Sequence, residues 1–271
     1  MTSIPAAAVG LRLSVHGLEV VLGSGRRSAH ILKEVSFDVP TGQTVGLVGE
    51  SGSGKSTLAK TLVGVHRATA GSIIFDGEEV TSAHGEQRRL LRRKIQLIPQ
   101  DPYSSLDPKR PIGQTLAEAI DPVHARLKEH RPRIIELLTM VALPADAVDR
   151  YPHQFSGGQR QRVAIARALA AEPDLIIVDE ITSALDVSTQ AEILDLFDRL
   201  RRELGLTVIF ISHNLAVVRQ VSDTVLVLFQ GELVESGSVA DIFAHPAHPY
   251  TAELLRSVPG GPGFTLSKER L

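Results

Sequence analysis

Two glycine-rich stretches hold the residues best able to do chemistry: residues 49–57 read GESGSGKST and residues 155–162 read FSGGQRQR. The first fits G-x-x-x-x-G-K-[ST] between an apolar run and a helical one, the context that this pattern requires. Glycines at 49, 52 and 54 let the backbone wrap phosphate groups, so that N–H groups and a helix start point at negative charge. The cradle comprises Gly49, Ser51, Gly52, Ser53, Gly54, Lys55, Ser56 and Thr57. Lys55 is expected to reach the β- and γ-phosphates of a nucleoside triphosphate, and the Ser56 hydroxyl to ligate Mg2+. The second stretch runs from Ser156, Gly157 and Gly158 through Gln159 into the helical run QRVAIARALA. By itself it is an ordinary flexible turn. As a second anion-binding device it is useful if two subunits meet head to tail, each supplying half of a site.

Residues 175–180, LIIVDE, read as a buried strand ending in two carboxylates. Ligands of open parallel sheets bind at the carboxyl ends of the strands. Asp179 is the expected Mg2+ ligand, and Glu180 the group that polarises an attacking water. Without the phosphate loop the pair would read as solvated acids at a strand end.

The elements that must position these groups follow from the spacing of apolar residues. Strand-like runs lie at about 11–22, 31–40 and 71–80, punctuated by Gly and Pro. Thr44–Val48, Ile95–Ile98, Leu175–Val178, Thr207–Ile211 and Val225–Phe229 are short and almost wholly apolar. Strands covered on both faces read this way, and their alternation with helical stretches predicts an α/β fold around a parallel sheet. From Gln100 to Phe155 the texture is helical and interrupted by proline, as an insertion into that core would be. The final GGPGFTLSKERL reads as a weakly ordered tail.

The 271 residues are 43% hydrophobic, enough to bury a core, and the net charge of −2 supplies no global field for nucleic acid. The absence of cysteine excludes disulfides, cysteine-ligated zinc and iron–sulfur clusters. No apolar run approaches the roughly 20 residues that span a bilayer, and MTSIPAAAVG lacks the positive n-region of a signal peptide. The expectation is a soluble, intracellular protein able to dock on a membrane partner. The one dense basic run, QRRLLRRK at 87–94, reads better as a solvated helix face than as a binding patch.

The two glycine-rich motifs, followed at the right spacing by Asp179–Glu180, resemble the ATP-binding cassette (ABC) family over nearly the whole chain. The resemblance implies a P-loop NTPase with a RecA-like parallel core, an N-terminal antiparallel β subdomain and an inserted helical subdomain. It implies ATP and Mg2+ as cofactors. Gln100 would sense Mg2+ and the attacking water, and His213, after LTVIFIS, would contact the γ-phosphate. Ser156–Gln159 would face the nucleotide held by a second cassette, and Ser183-Ala184-Leu185-Asp186 would cross the interface between the two. Two positions depart from the family pattern. Ile181 stands where Pro is usual, and Leu22, beside Val21, stands where an aromatic ring stacks on adenine. Weaker adenine discrimination is the consequence expected.

VGESGSGKST, PQDPYSSLDPKRPIGQTLAEAI and IFAHPAHPYTAELLRSVP further resemble the ATPases of oligopeptide and dipeptide importers. That branch implies an ATP-binding domain over 1–240, with its helical insertion at about 101–158, and a C-terminal extension over 241–271. It implies two transmembrane permease subunits, a second cassette (identical or paralogous), indirectly a substrate-binding protein, and no nucleic acid. The place would be peripheral, at the cytoplasmic face of the membrane. Importers of nickel or glutathione share the extension, and a soluble ABC ATPase such as a phosphonate-lyase accessory subunit is the rival reading. His245 and His248 read as packing or docking residues rather than as a metal site.

Overall fold

The computed structural model describes residues 10–23, 25, 28–101, 106–182 and 185–257. In chain order the first elements are β1 (Leu11–Leu22), β2 (Ala29–Pro40), β3 (Thr44–Val48), α1 (Lys55–Leu62), β4 (Ala70–Phe75) and β5 (Glu78–Glu79). There follow α2 (Gly85–Lys94), β6 (Ile95–Ile98), α3 (Ile112–Ile120), α4 (Leu127–Met140), α5 (Gly157–Ala170), β7 (Leu175–Asp179) and α6 (Val187–Leu204). The chain continues through β8 (Thr207–Ile211), α7 (Leu215–Val221), β9 (Thr224–Phe229), β10 (Glu232–Ser238), α8 (Val239–Ala244) and α9 (Pro249–Arg256). The described residues fall into two compact units, one up to Ala83 and again from Ile209 onward, the other His84–Val208.

In the first unit β1 is central to an antiparallel sheet of order β2-β1-β4-β5. Its register sets Leu13 opposite Val39 and Val15 opposite Phe37, and one face is buried through Leu13, Val15, Leu18 and Val20. The run expected at 71–80 is two strands, because Asp76 and Gly77 both take positive φ and turn the chain. β3 pairs parallel with β9, Val45 to Thr224 and Val48 to Val227. All five β3 residues are buried, as its unbroken apolar sequence requires. β10 pairs antiparallel with β9. It has no counterpart in the sequence reading, because ELVESGS is only partly covered and lacks an apolar run.

In the second unit β6 and β7 pair parallel, from Ile95–Leu175 to Ile98–Val178. α5 begins at Gly157, four residues before the helical run read from sequence, and buries ten residues, from Gly158 to Ala170. α4 runs through Pro132 without ending, so proline there does not mark a boundary. α2 covers only Leu91 of its own residues, which fits the solvated face expected of QRRLLRRK. Among the described residues no helix is long and apolar enough to cross a membrane.

Candidate functional site

The phosphate loop lies between β3 and α1, wholly within the first unit. Gly49 has φ 153°, and a Cβ there would stand 2.1 Å from the Leu228 carbonyl oxygen. Only glycine lets the chain leave β3 at this point. Gly54 (φ 111°) opens α1 and supplies no side-chain cap. No acidic residue occupies the first turn of α1, so the N–H groups there are left to an external anion. Lys55 is buried, and its Nζ donates to the Gly49 oxygen at 2.8 Å and the Glu50 oxygen at 2.7 Å. These bonds hold the ammonium within the loop. Ser53 is buried with an Oγ that has no partner, and Ser51, Gly52 and Ser56 are exposed at the rim. A buried cation, an orphaned hydroxyl and an uncapped helix start fit a polyphosphate. The exposed Ser56 hydroxyl in the first turn of α1 fits a hard cation that would accompany it.

His213 belongs to the same unit and is exposed just beyond β8. Its neighbours fix it. The Ser212 N–H donates to the Leu47 oxygen at 3.3 Å, and the Ser212 Oγ accepts from the Asn214 N–H at 3.0 Å. Asn214 then caps α7 through Ala216 and Val217. Leu22 is half-buried at the end of β1, opposite Ala29.

The second unit gathers the carboxylates and the signature. Asp179, 7% exposed, ends β7. Glu180 follows in the left-handed region at φ 47°, where a residue with a Cβ is strained by about 1–2 kcal/mol. Strain of this kind re-aims a side chain at the end of a strand. Here it brings the Glu180 carboxylate to Gln100, whose Nε2 donates to Oε2 at 2.9 Å. Eighty residues of chain separate the two, and the parallel pairing of β6 with β7 brings their strand ends together. Ile181 and Thr182 are buried beyond them, so Ile181 serves as a core residue where the family has Pro.

Ser156 caps α5 in a reciprocal box: its Oγ accepts from the Gln159 N–H at 3.3 Å, and Gln159 Oε1 accepts from the Ser156 N–H at 3.0 Å. Gly157 is exposed and Gly158 buried. A Cβ on Gly158 would stand 2.4 Å from Thr189 Cγ2, so this glycine is required by the packing of α6. Thr189 is held by Asp186. The Asp186 Oδ1 accepts from the Thr189 N–H at 3.0 Å and from Ser188 Oγ at 2.6 Å, while Oδ2 accepts from Thr189 Oγ1 at 2.8 Å. The Ser188 hydroxyl foremost, then the Thr189 donors, hold the Asp186 carboxyl far below the usual range. The chain Asp186–Thr189–Gly158 thus ties the start of α6 to the start of α5, a link that no motif in the sequence announces. Ser183 and Ala184 of the same loop lie outside the described residues.

The profile of the family described as "ABC transporter" matches residues 32–183. The oligopeptide transport ATP-binding protein OppF of Bacillus subtilis is 44% identical over 238 residues, 86% of this chain and 78% of that protein. The glutathione import ATP-binding protein GsiA of Pectobacterium atrosepticum is 48% identical over 235 residues, 86% of this chain and 38% of that protein. Among solved structures, the dimeric post-hydrolysis state of the ATP-binding cassette MJ0796 with ADP and Pi superposes with a TM-score of 0.73 at 30% identity. That match covers 84% of this chain and 98% of the other. Phosphate loop, acidic strand end and capped signature helix have the fold of such cassettes, and the chain belongs to the ABC transporter family as an ATP-hydrolysing, P-loop α/β subunit.

Proposed function

We propose that the chain powers the import of peptides through a membrane permease, using ATP hydrolysis in a pair of cassettes. The observation that carries the catalytic half is the Gln100–Glu180 contact, which aims a strained carboxylate by an amide. Oligopeptide transport, named for one relative, supports a peptide cargo, and glutathione, named for another, is the alternative. Nickel is the more distant alternative.

In this reading the loop from Gly49 to Thr57 binds the triphosphate, and Lys55 offsets charge on its β- and γ-phosphates. Glu180 orients the attacking water and draws off its proton. Gln100 fixes the rotamer of Glu180, and His213 contacts the γ-phosphate. Ser56, Asp179 and Gln100 are the residues that would hold Mg2+, which when bound would neutralise charge on the phosphate oxygens. The contribution of the protein is positioning and electrostatic stabilisation, because phosphoryl transfer asks little covalent chemistry of it. Ser156, Gly157, Gly158 and Gln159 of the partner subunit complete the site, with Asp186 shaping the loop that crosses between cassettes.

The partners are a second cassette, identical or paralogous, two permease subunits and, indirectly, a substrate-binding protein. In the second unit a cavity of about 760 Å3 is lined by Arg88, Arg92, Arg110, Glu118, Arg167 and Val123, among others. Val123 is 76% exposed. Although QRRLLRRK reads from sequence as a solvated face rather than a binding patch, its Arg88 and Arg92 line this cavity, and an exposed apolar side chain among guanidinium groups suits a cytoplasmic segment of the permease that ends in acidic groups or free carbonyls. In this reading the chain sits peripherally on the cytoplasmic face of the membrane. Residues 1–240 then form the ATP-binding domain, with the insertion at about 101–158, and 241–271 its extension.

The test is a tagged pull-down of Glu180→Gln from detergent-solubilised membranes with ATP present, with partners identified by mass spectrometry. Two multi-span permease subunits are expected, and the presence or absence of a second cassette chain separates homodimer from heterodimer. Recovery only from the soluble fraction with enzymes, as a phosphonate-lyase accessory subunit would give, overturns the importer reading.

A further inference from the structure

The C-terminal residues 245–256 take no part in the chemistry above, yet they reach the phosphate loop. Glu235 of β10 fixes their approach: its Oε1 accepts the Ala247 N–H at 2.8 Å and its Oε2 the His248 N–H at 3.0 Å. His248 then caps α9, its Nδ1 accepting from the Tyr250 N–H at 3.2 Å, and Pro249 fills the first helical position. With the start of α9 held on both sides, the Tyr250 side chain is committed inward. It is 7% exposed, and its ring centroid lies 4.1 Å from that of Phe229 on β9.

The hydroxyl of Tyr250 accepts the Glu50 N–H at 2.9 Å. That N–H belongs to the peptide group joining Gly49 and Glu50. The carbonyl of the same group, the Gly49 oxygen, accepts from Lys55 Nζ at 2.8 Å. One planar amide therefore stands between Tyr250 and Lys55, donating to the first and accepting from the second. Its N–H and C=O point in opposite directions and turn together, so a rotation that releases one bond misaligns the other. Bonds in series through an amide also polarise one another, which strengthens the hold on the ammonium. Burial pushes the Tyr250 hydroxyl above the usual tyrosine range, so it remains a neutral acceptor across physiological pH.

We infer that Tyr250 is a positioning residue for the phosphate-binding lysine, and that α9 is thereby coupled to nucleotide occupancy of the loop. The inference rests on the reading of residues 49–57 as the nucleotide cradle. It follows from linkage that if α9 sets the loop for nucleotide, nucleotide must stabilise α9 by the same factor. The C-terminal segment is then a regulatory handle on ATP binding, with the HPYT sequence as cap, helix start, strut and buried anchor.

Tyr250→Phe keeps the ring on Phe229 and deletes only the acceptor. For the full-length chain, the dissociation constant of a fluorescent ATP analogue is expected to rise about fivefold, as loss of one hydrogen bond gives. KM for ATP should rise with it while kcat stays within about twofold, since the bond acts through Lys55 on binding. In the wild type, hydrogen exchange of the 250–256 amides should slow when the analogue is added, a measurement that needs no variant to fold. In Tyr250→Phe that slowing should be lost. Unchanged analogue affinity in Tyr250→Phe, or wild-type exchange in α9 indifferent to nucleotide, overturns the inference. Lys55→Ala separates it from the reading beneath: retained analogue binding there removes the cradle itself. Lost binding in Lys55→Ala with unaltered binding in Tyr250→Phe removes only the strut.

Discussion

Gln100 donates from its side-chain amide to the carboxylate of Glu180 at 2.9 Å, and Glu180 sits in the left-handed region of backbone space at φ 47°. The two facts explain each other. A strained backbone turns the carboxylate away from the run of β7, and the amide beyond β6 receives it. The hydrogen bond fixes which carboxylate oxygen Gln100 engages.

Removing the carboxylate and removing its partner should therefore differ in kind. Glu180→Gln should bind ATP with wild-type affinity and lose about 10²–10⁴-fold in turnover, the usual worth of a positioned base. Gln100→Ala leaves the base in place without this hydrogen bond, so a smaller loss in kcat, about tenfold, is expected with little change in KM. Steady-state ATPase assays read both. Near-wild-type turnover in Glu180→Gln would refute the catalytic assignment.

Gly158 lies in the signature but is buried against Thr189. Gly158→Ala should destabilise the fold by about 1–3 kcal/mol through overpacking, seen as a lower urea midpoint. Thr189→Ser removes the methyl that stands 2.4 Å from the added Cβ while keeping a hydroxyl for Asp186. The double variant should recover most of the loss. No recovery would mean that Gly158 is constrained by something other than this contact.

The extension should come away in acid. Burial pushes the Glu235 carboxyl up, but the hydrogen bonds it accepts, those from the Ala247 and His248 N–H groups among them, hold it below the usual carboxylate range. A carboxyl depressed in the folded state contributes stability above its unfolded pKa, and that contribution vanishes as pH falls through the folded value. Hydrogen-exchange protection of residues 247–256, corrected for intrinsic rates, should be flat from neutral pH down to about pH 5. It should fall below about pH 4, ahead of β3 and β9. Glu235→Gln should abolish that step.

Leu22 offers no ring to a base. Leu22→Tyr should tighten ATP by about 0.5–1.5 kcal/mol, the range of an aromatic stacking contact. Titration with ATP and GTP should show the gain to be larger for adenine, and equal ratios in both proteins would remove any role for this position in base recognition.

Much of the molecule was legible in local patterns. β3, β7 and β8 are runs of five residues buried on every position, and a strand covered on both faces has no alternative to continuous hydrophobicity. The phosphate loop was legible because an anion cradle demands glycine where φ is positive and a lysine within its span. β10 was missed because a half-exposed strand carries no apolar run, and the start of α5 because a capping box, not periodicity, sets it.

What the order of residues cannot contain is which distant side chain meets which. Gln100 and Glu180 are 80 positions apart and Glu50 and Tyr250 are 200, and the contact of Gly158 with Thr189 depends on how two helix starts pack. The sequence by itself determined the family, since a phosphate loop, an acidic strand end and a glycine-rich signature are particular residue types at fixed local spacing. Tertiary structure alone decided how those groups are held: strand pairing and helix docking bring partners together only after the chain between them has folded, and a planar amide or a missing Cβ then transmits the constraint.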